Sequence, residues 1–219
     1  GCSTRNTDAE KTEIAQCKDG KKGAISISYD DASINQFRKA LPIMDSLGIK
    51  GTFFINTAHI RDGVIPPKFI GRPINDIIRE TATKPTDKSN LFERASALRF
   101  TGIKGAVEYH NNAGSLYENE KYEEAYKVVD DAYAEVRKQG AKPREWIGPS
   151  GEMITWDEIK QFAANGHEFG SHTISHPRLA VLDEPNMLYE LEKCKEEIAM
   201  MLGPDHTFSA ECPFGTENE

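Results

Sequence analysis

Long hydrophobic runs are missing from this chain of 219 residues. No apolar stretch approaches the ~18 residues that a membrane-spanning helix needs. An excess of positive charge is missing as well. Lys and Arg number 27 against 35 Asp and Glu, a formal net charge of −8, and the pI is near 5.4. Duplex nucleic acid and anionic membrane surfaces are bound through basic patches, so neither is an expected partner. Cysteine is scarce, with only Cys2, Cys17, Cys194 and Cys212. None has CxxC spacing, which argues against a zinc knuckle. Four are too few for a disulfide scaffold at this length, although a Cys17–Cys194 or Cys194–Cys212 bridge stays open. Internal repeats and low-complexity tracts are also absent. What remains is 38% hydrophobic and 28% charged, with a mean hydropathy of −0.58. That balance describes a soluble globular chain long enough to bury one substantial core.

Residues 1–20 are polar and without periodicity, and read as a flexible N-terminal tether. Residues 21–219 read as one catalytic-type domain. Gly1-Cys2-Ser3-Thr4 resembles the junction at which bacterial lipoproteins are processed. That resemblance implies a lipid on Cys2 and an extracytoplasmic place, secreted or anchored at the cell envelope. The plain alternative is an exposed cysteine in a polar leader.

Ala24–Tyr29 alternates like a strand, with Ile25, Ile27 and Tyr29 on one face. Ser33 can cap a helix carrying Phe37, Leu41, Met44 and Leu47 at helical spacing, which Gly48 stops. Gly51–Asn56 then reads as a buried strand. Strand, helix and strand over some thirty residues form a βαβ unit, which implies parallel pairing. A second unit follows the same logic. Thr155-Trp156-Asp157-Glu158 is a capping box, Asn165-Gly166 ends its helix, and His167–Ser171 is the next strand. A further helix opens at Asp183 or Glu184-Pro185 and closes at Gly203-Pro204, with Thr207–Ala210 as a further strand. Between the units, about 57–153, lies a long insertion expected to be mostly helical, with helices over Ile74–Glu80 and Glu120–Gln139. The Tyr/Ala stripe of the latter reads as core packing rather than as a ligand box. The insertion leaves a strand at its C-terminal end, where parallel α/β folds place their sites, so it should border the site.

The chemistry sits in Asp30-Asp31, at the end of the first strand, and in His172 and His176 within Ser171-His172-Thr173-Ile174-Ser175-His176-Pro177. HxxxH also suits one face of a helix. Pro177, however, pushes His176 away from the α region, so the pair belongs on a strand end and tight loop. Two imidazoles and a carboxylate suffice to hold one divalent metal with positions left open. A second carboxylate beside them is a candidate base for an activated water. The same donor set suits a non-haem iron oxygenase, but that site sits on a different, all-β scaffold.

Three motifs resemble those of the polysaccharide deacetylases, the NodB-homology group also called carbohydrate esterase family 4. Tyr29-Asp30-Asp31-Ala32 is similar to that family's TFDDG, and His172-Thr173-Ile174-Ser175-His176 matches its H-S/T-x-x-H. Cys212-Pro213-Phe214-Gly215 resembles the end of its R-x-P-Y/F-G. The resemblance covers about 23–57 and 153–215. It implies an α/β fold, a distorted (β/α) barrel apparently incomplete at its C-terminus, and hydrolytic removal of acetyl groups from oligo- or polysaccharide. It also implies a divalent metal, Zn2+ foremost, with Co2+, Ni2+ or Mn2+ as alternatives. Carried over by position, Asp31, His172 and His176 are the metal ligands, Asp30 the general base, and the Phe214 amide a donor to the oxyanion.

Two positions depart from the family pattern. The third-motif arginine, which pairs with the base, aligns with Glu211, and Arg61, Arg72 and Arg144 are candidate replacements. The later histidine that serves as general acid has no counterpart, and His59, His110 and His206 are the candidates to replace it. These departures keep a second expectation in view, a catalytically impaired carbohydrate-binding lipoprotein on the same fold.

Overall fold

The computed structural model describes residues 13–215; the lipidation expected at Cys2 and most of the expected tether lie outside them. Three short strands form a parallel sheet in the order β1 (Ser28–Asp30), β2 (Thr52–Ile55), β3 (Glu168–Ser171). Asp30 stands opposite Phe54, and Phe54 opposite Gly170. The C-terminal ends therefore emerge together at one edge, and Asp31, Asn56 and His172 leave the sheet side by side. Gly170 permits this register. A Cβ there would lie 2.6 Å from Ser209 Oγ and 2.8 Å from the Phe54 ring.

Phe53, Ile55 and Phe169 are fully buried. Phe37 stacks between Phe53, Phe169 and Phe162, at centroid separations of 5.1, 6.4 and 5.9 Å. Phe37 comes from a wide turn, Gln36–Ala40, that runs into α1 (Leu41–Ser46). Trp156 and Ile159 of α6 (Trp156–Ala164) and Cys194 and Ile198 of α7 (Glu184–Leu202) complete this core. The capping box of α6 is present as the sequence predicts, with Thr155 and Glu158 serving each other's orphan groups.

The insertion contributes α2 (Ile74–Thr81), α3 (Leu91–Leu98), α4 (Ala106–Glu118) and α5 (Tyr122–Gln139). It is helical as expected, but α3 and α4 escaped the sequence reading. These helices close on a second apolar cluster that includes Ile77, Leu91, Leu98, Ile103, Val129 and Tyr133. The Tyr/Ala stripe of α5 faces that cluster, with Ala125, Val129, Ala132, Tyr133 and Val136 all buried.

Four expectations differ from what the described residues show. The described residues form a three-stranded parallel sheet with seven α-helices and show no closed barrel, since three strands cannot close on themselves. The first strand is shorter than Ala24–Tyr29 because none of the described residues covers its start, and Ile25 is 91% exposed. Thr207–Ala210 forms no strand and pairs with the sheet through one isolated parallel bridge, Ser171 to Ala210. Cys194 joins neither disulfide. It is a free, buried thiol facing the Ile55 carbonyl at 3.8 Å, and burial raises its pKa to about 11.

Candidate metal centre

The parallel sheet brings Asp31, His172 and His176 to one point. Asp31 Oδ1 lies 3.2 Å from His172 Nε2 and 3.1 Å from His176 Nε2. One ligand atom from each of the three falls within 4.8 Å of the others. Around a tetrahedral ion with bonds of ~2.0–2.1 Å, neighbouring donors stand ~3.3 Å apart, so the two measured contacts are close to a liganding separation.

Proton placement sharpens the fit. His172 Nδ1 lies 2.7 Å from the Glu211 carbonyl. A carbonyl only accepts, so Nδ1 carries a proton, which leaves Nε2 as the atom turned toward Asp31. Nε2 faces the Asp31 carboxylate at 3.2 Å, a gap that a shared cation could occupy. Burial lowers the His176 pKa, with Asp31 opposing, which favours the neutral ring that a metal needs.

Backbone strain is concentrated here. Asp31, Ala32, Thr173, His176 and Phe214 adopt φ of 76°, 55°, 68°, 59° and 61°, and only Asp19 and Glu120 share a positive φ among the other described non-glycine residues. Left-handed backbone disfavours a side chain, and most of all a β-branched one such as Thr173. Surrounding hydrogen bonds hold it in place. His172 N donates to Ile55 O at 3.0 Å, and Ala58 N donates to Ile174 O at 2.9 Å. His176 N donates to Thr173 Oγ1 at 3.1 Å. The buried Asn56 amide donates to the carbonyls of His172 and Thr173. Asn56 was not singled out in the sequence, yet it ties the end of β2 to the histidine loop.

Asp30 is an exposed residue at the end of β1, and its carbonyl accepts from the Gln36 amide. It forms no ion pair among the described residues. Phe214 stands against the histidines, its ring edge-on to His176 at 4.6 Å and covered by the Arg178 guanidinium at 3.7 Å. Glu211 serves through its backbone, since its N–H donates to Ser171 O at 2.9 Å while its side chain is exposed.

The three candidate acids separate clearly. His59 sits at the site, with Nδ1 3.1 Å from the Asp31 carbonyl. His110 is a core residue held between the Ala95 carbonyl and the Arg178 N–H, and burial lowers its pKa to about 3. His206 lies on the other side of β3, beside Ser171, Ile198 and Ser209. Of the candidate arginines, Arg72 is engaged by Glu80 and Glu93, Arg61 is exposed, and Arg144 lines the cavity over the site.

That cavity, of about 710 Å3, runs from Asp31, His59 and His176 to the insertion at Gly102–Glu108 and Asn111, and to the connection carrying Arg144, Trp146 and Met153. Its lining includes Asp31 but not Asp30. Arg99, also unremarked in the sequence, lines it beneath Trp146, with the guanidinium 4.5 Å from the indole.

Residues 144–219 match the family model for polysaccharide deacetylase. The match spans about a third of the chain and takes in His172, His176 and Phe214, while Asp30 and Asp31 lie outside it. No curated protein and no solved structure matches the chain.

Proposed function

We propose that this chain is a metal-dependent hydrolase that removes acetyl groups, N- or O-linked, from carbohydrate. The observation that carries the reading is the meeting of Asp31 with His172 and His176 at the mouth of a cavity. The partial family match supports the substrate class. Asp31, His172 and His176 would hold the cation. Two imidazoles and a carboxylate suit zinc, and cobalt, nickel or manganese could replace it. When bound, such a cation polarises the acetyl carbonyl and lowers the pKa of water.

The remaining steps fall to this chain's own groups. Asp30, beside the ligand carboxylate, is the base that takes the proton of the attacking water. The main-chain N–H of Phe214 is the candidate donor to the developing oxyanion. His59 is the candidate acid for the leaving group, because it alone of the three histidines faces the cavity with Asp31. The acetylated oligo- or polysaccharide enters against the insertion wall, which favours a short chain or a chain end over a long uniform polymer. Placement outside the cytoplasm, with a lipid on Cys2, belongs to this reading.

One observation favours a second reading, a glycan-binding protein with impaired catalysis. Asp30 has no cationic partner among the described residues, and Glu211 occupies the position of the third-motif arginine.

Acetate release decides between them. The zinc-loaded protein and His172→Ala are compared on acetylated xylan and on N-acetylglucosamine oligomers. Release that disappears in the variant supports the hydrolase. Stoichiometric zinc binding and glycan binding without any release selects the second reading.

A further inference from the structure

His176 keeps its left-handed backbone, φ 59°, next to a residue with no freedom of its own. Ser175 is gripped at its N–H, its carbonyl and its hydroxyl by two buried side chains. Arg99 donates Nη1 to Ser175 Oγ at 3.0 Å and Nη2 to Ser175 O at 2.8 Å. Glu190 accepts the Ser175 N–H at 2.9 Å and also the Ser175 hydroxyl. The two charges stand 3.7 Å apart, with only 8% and 4% of the residues exposed. Arg99 follows α3 of the insertion, and Glu190 lies in α7.

A buried ion pair is a costly way to dock one layer on another, since apolar residues of equal volume often do it as well or better. What apolar residues cannot do is satisfy the polar groups of Ser175. The planar fork of Arg99 reaches the hydroxyl and the carbonyl together, which the single ammonium of lysine cannot reproduce.

We propose that Arg99 and Glu190 are positioning residues of the metal centre. They fix Ser175 so that His176 completes its strained turn and delivers Nε2 to the point shared with Asp31 and His172. The inference rests on the reading that these three residues hold a divalent cation. It assigns the insertion a second task beside walling the cavity, because Arg99 sets the geometry of a ligand that belongs to the other half of the chain.

The test is a calorimetric titration with zinc chloride, together with the visible absorption spectrum of the Co2+-loaded protein. The proteins compared are the full chain, His172→Ala, Arg99→Lys and the double variant Arg99→Met with Glu190→Gln. The double variant is used because removing one charge alone would strand the other in the core. The wild type should bind one zinc ion, and His172→Ala should lose it. The double variant, folded by circular dichroism, should bind about ten- to a hundredfold more weakly, as loss of an outer-shell partner does. Its cobalt spectrum should be altered, and Arg99→Lys should fall between. A folded double variant with wild-type affinity and an unchanged spectrum overturns the proposal and leaves Arg99 as a docking contact. A wild type that binds no zinc, or a His172→Ala that binds as well, overturns the metal reading itself, and the proposal falls with it. Should the double variant not fold, Ser175→Ala takes its place, removing only the hydroxyl that both side chains hold. A loss of about three- to tenfold supports the proposal, as expected for one hydrogen-bonding group, and unchanged affinity overturns it.

Discussion

The Nδ1 proton of His172 is held by the main-chain carbonyl of Glu211 at 2.7 Å. Glu211 stands where the resembling family has an arginine, yet it remains part of the site through its backbone. A carbonyl is common to every residue type, so the orientation of His172 survives the change of side chain. What the change removes is a cationic neighbour for Asp30.

Glu211→Ala should therefore leave zinc affinity within about twofold of wild type, because the hydrogen bond that fixes the tautomer is untouched. Calorimetric titration with zinc checks this. A tenfold loss would show that the exposed carboxylate matters to the cation after all.

Metal removal should cost stability in the measure that linkage requires. At a zinc concentration of a hundred times Kd, binding stabilises the folded state by about 2.7 kcal/mol. For a chain of this size that raises Tm by about 5–10 °C. Differential scanning calorimetry with zinc and with a chelator measures the shift. His172→Ala should melt at the same temperature in both, since it lacks one of the three donors. An equal zinc shift in that variant would place the stabilising ion elsewhere.

Much of the site was legible because its chemistry is carried by short local strings. Asp31 follows a strand-like alternation, and Pro177 excludes the helical reading of His172 and His176. The parallel pairing implied by the βαβ spacing is enough to bring those two strings to one sheet edge. The supports of the site were hidden because they come from distant residues of common type. Asn56, Arg99 and Glu190 make their contacts 116, 76 and 15 residues away in sequence, and no spacing rule links them. The roles of the histidines were equally hidden. His59 and His110 look alike as isolated residues, and only burial separates a cavity wall from a core. The described residues show no closed barrel: the chain before β1 joins the sheet only where Ile27 O accepts from Thr52 N, and Thr207–Ala210 joins it only around Ser171.

Gly114→Ala tests how tightly the insertion is fitted to the histidine loop. A Cβ at this position of α4 would lie 2.7 Å from Arg178 Cβ and 2.8 Å from its Cγ. Those atoms are close to the backbone and cannot swing aside as a side-chain tip can. Overpacking of this kind costs about 1–3 kcal/mol, while alanine gains about 0.5–1 kcal/mol in helix propensity. The net expectation is a loss of about 1 kcal/mol in urea unfolding. Arg178 also covers the Phe214 ring, so the variant should disturb Phe214 as well. A stabilised variant would mean that the loop yields freely.

His110 gives the fold a specific weakness to acid. Its ring is fully buried, and burial first, then the charges of Arg99 and Arg178, lower its pKa to about 3 against the bond to the Ala95 carbonyl. In the unfolded chain the same ring takes up a proton near pH 6.5. Between these two values the unfolded state binds one more proton than the folded state. Stability therefore falls as pH falls from about 6.5 toward about 3, by about 1.4 kcal/mol per pH unit, and this group adds no slope above that window. His110→Gln keeps an acceptor that can reach the Arg178 N–H but cannot titrate. Carboxylates contribute to acid denaturation in both proteins, so the difference between them isolates the histidine. Urea unfolding at about pH 7 and about pH 5 should show the wild type losing about 2 kcal/mol more than the variant. Equal losses would mean that His110 is protonated in the folded protein, and that its contact with the Arg178 N–H is broken in acid well before the chain unfolds.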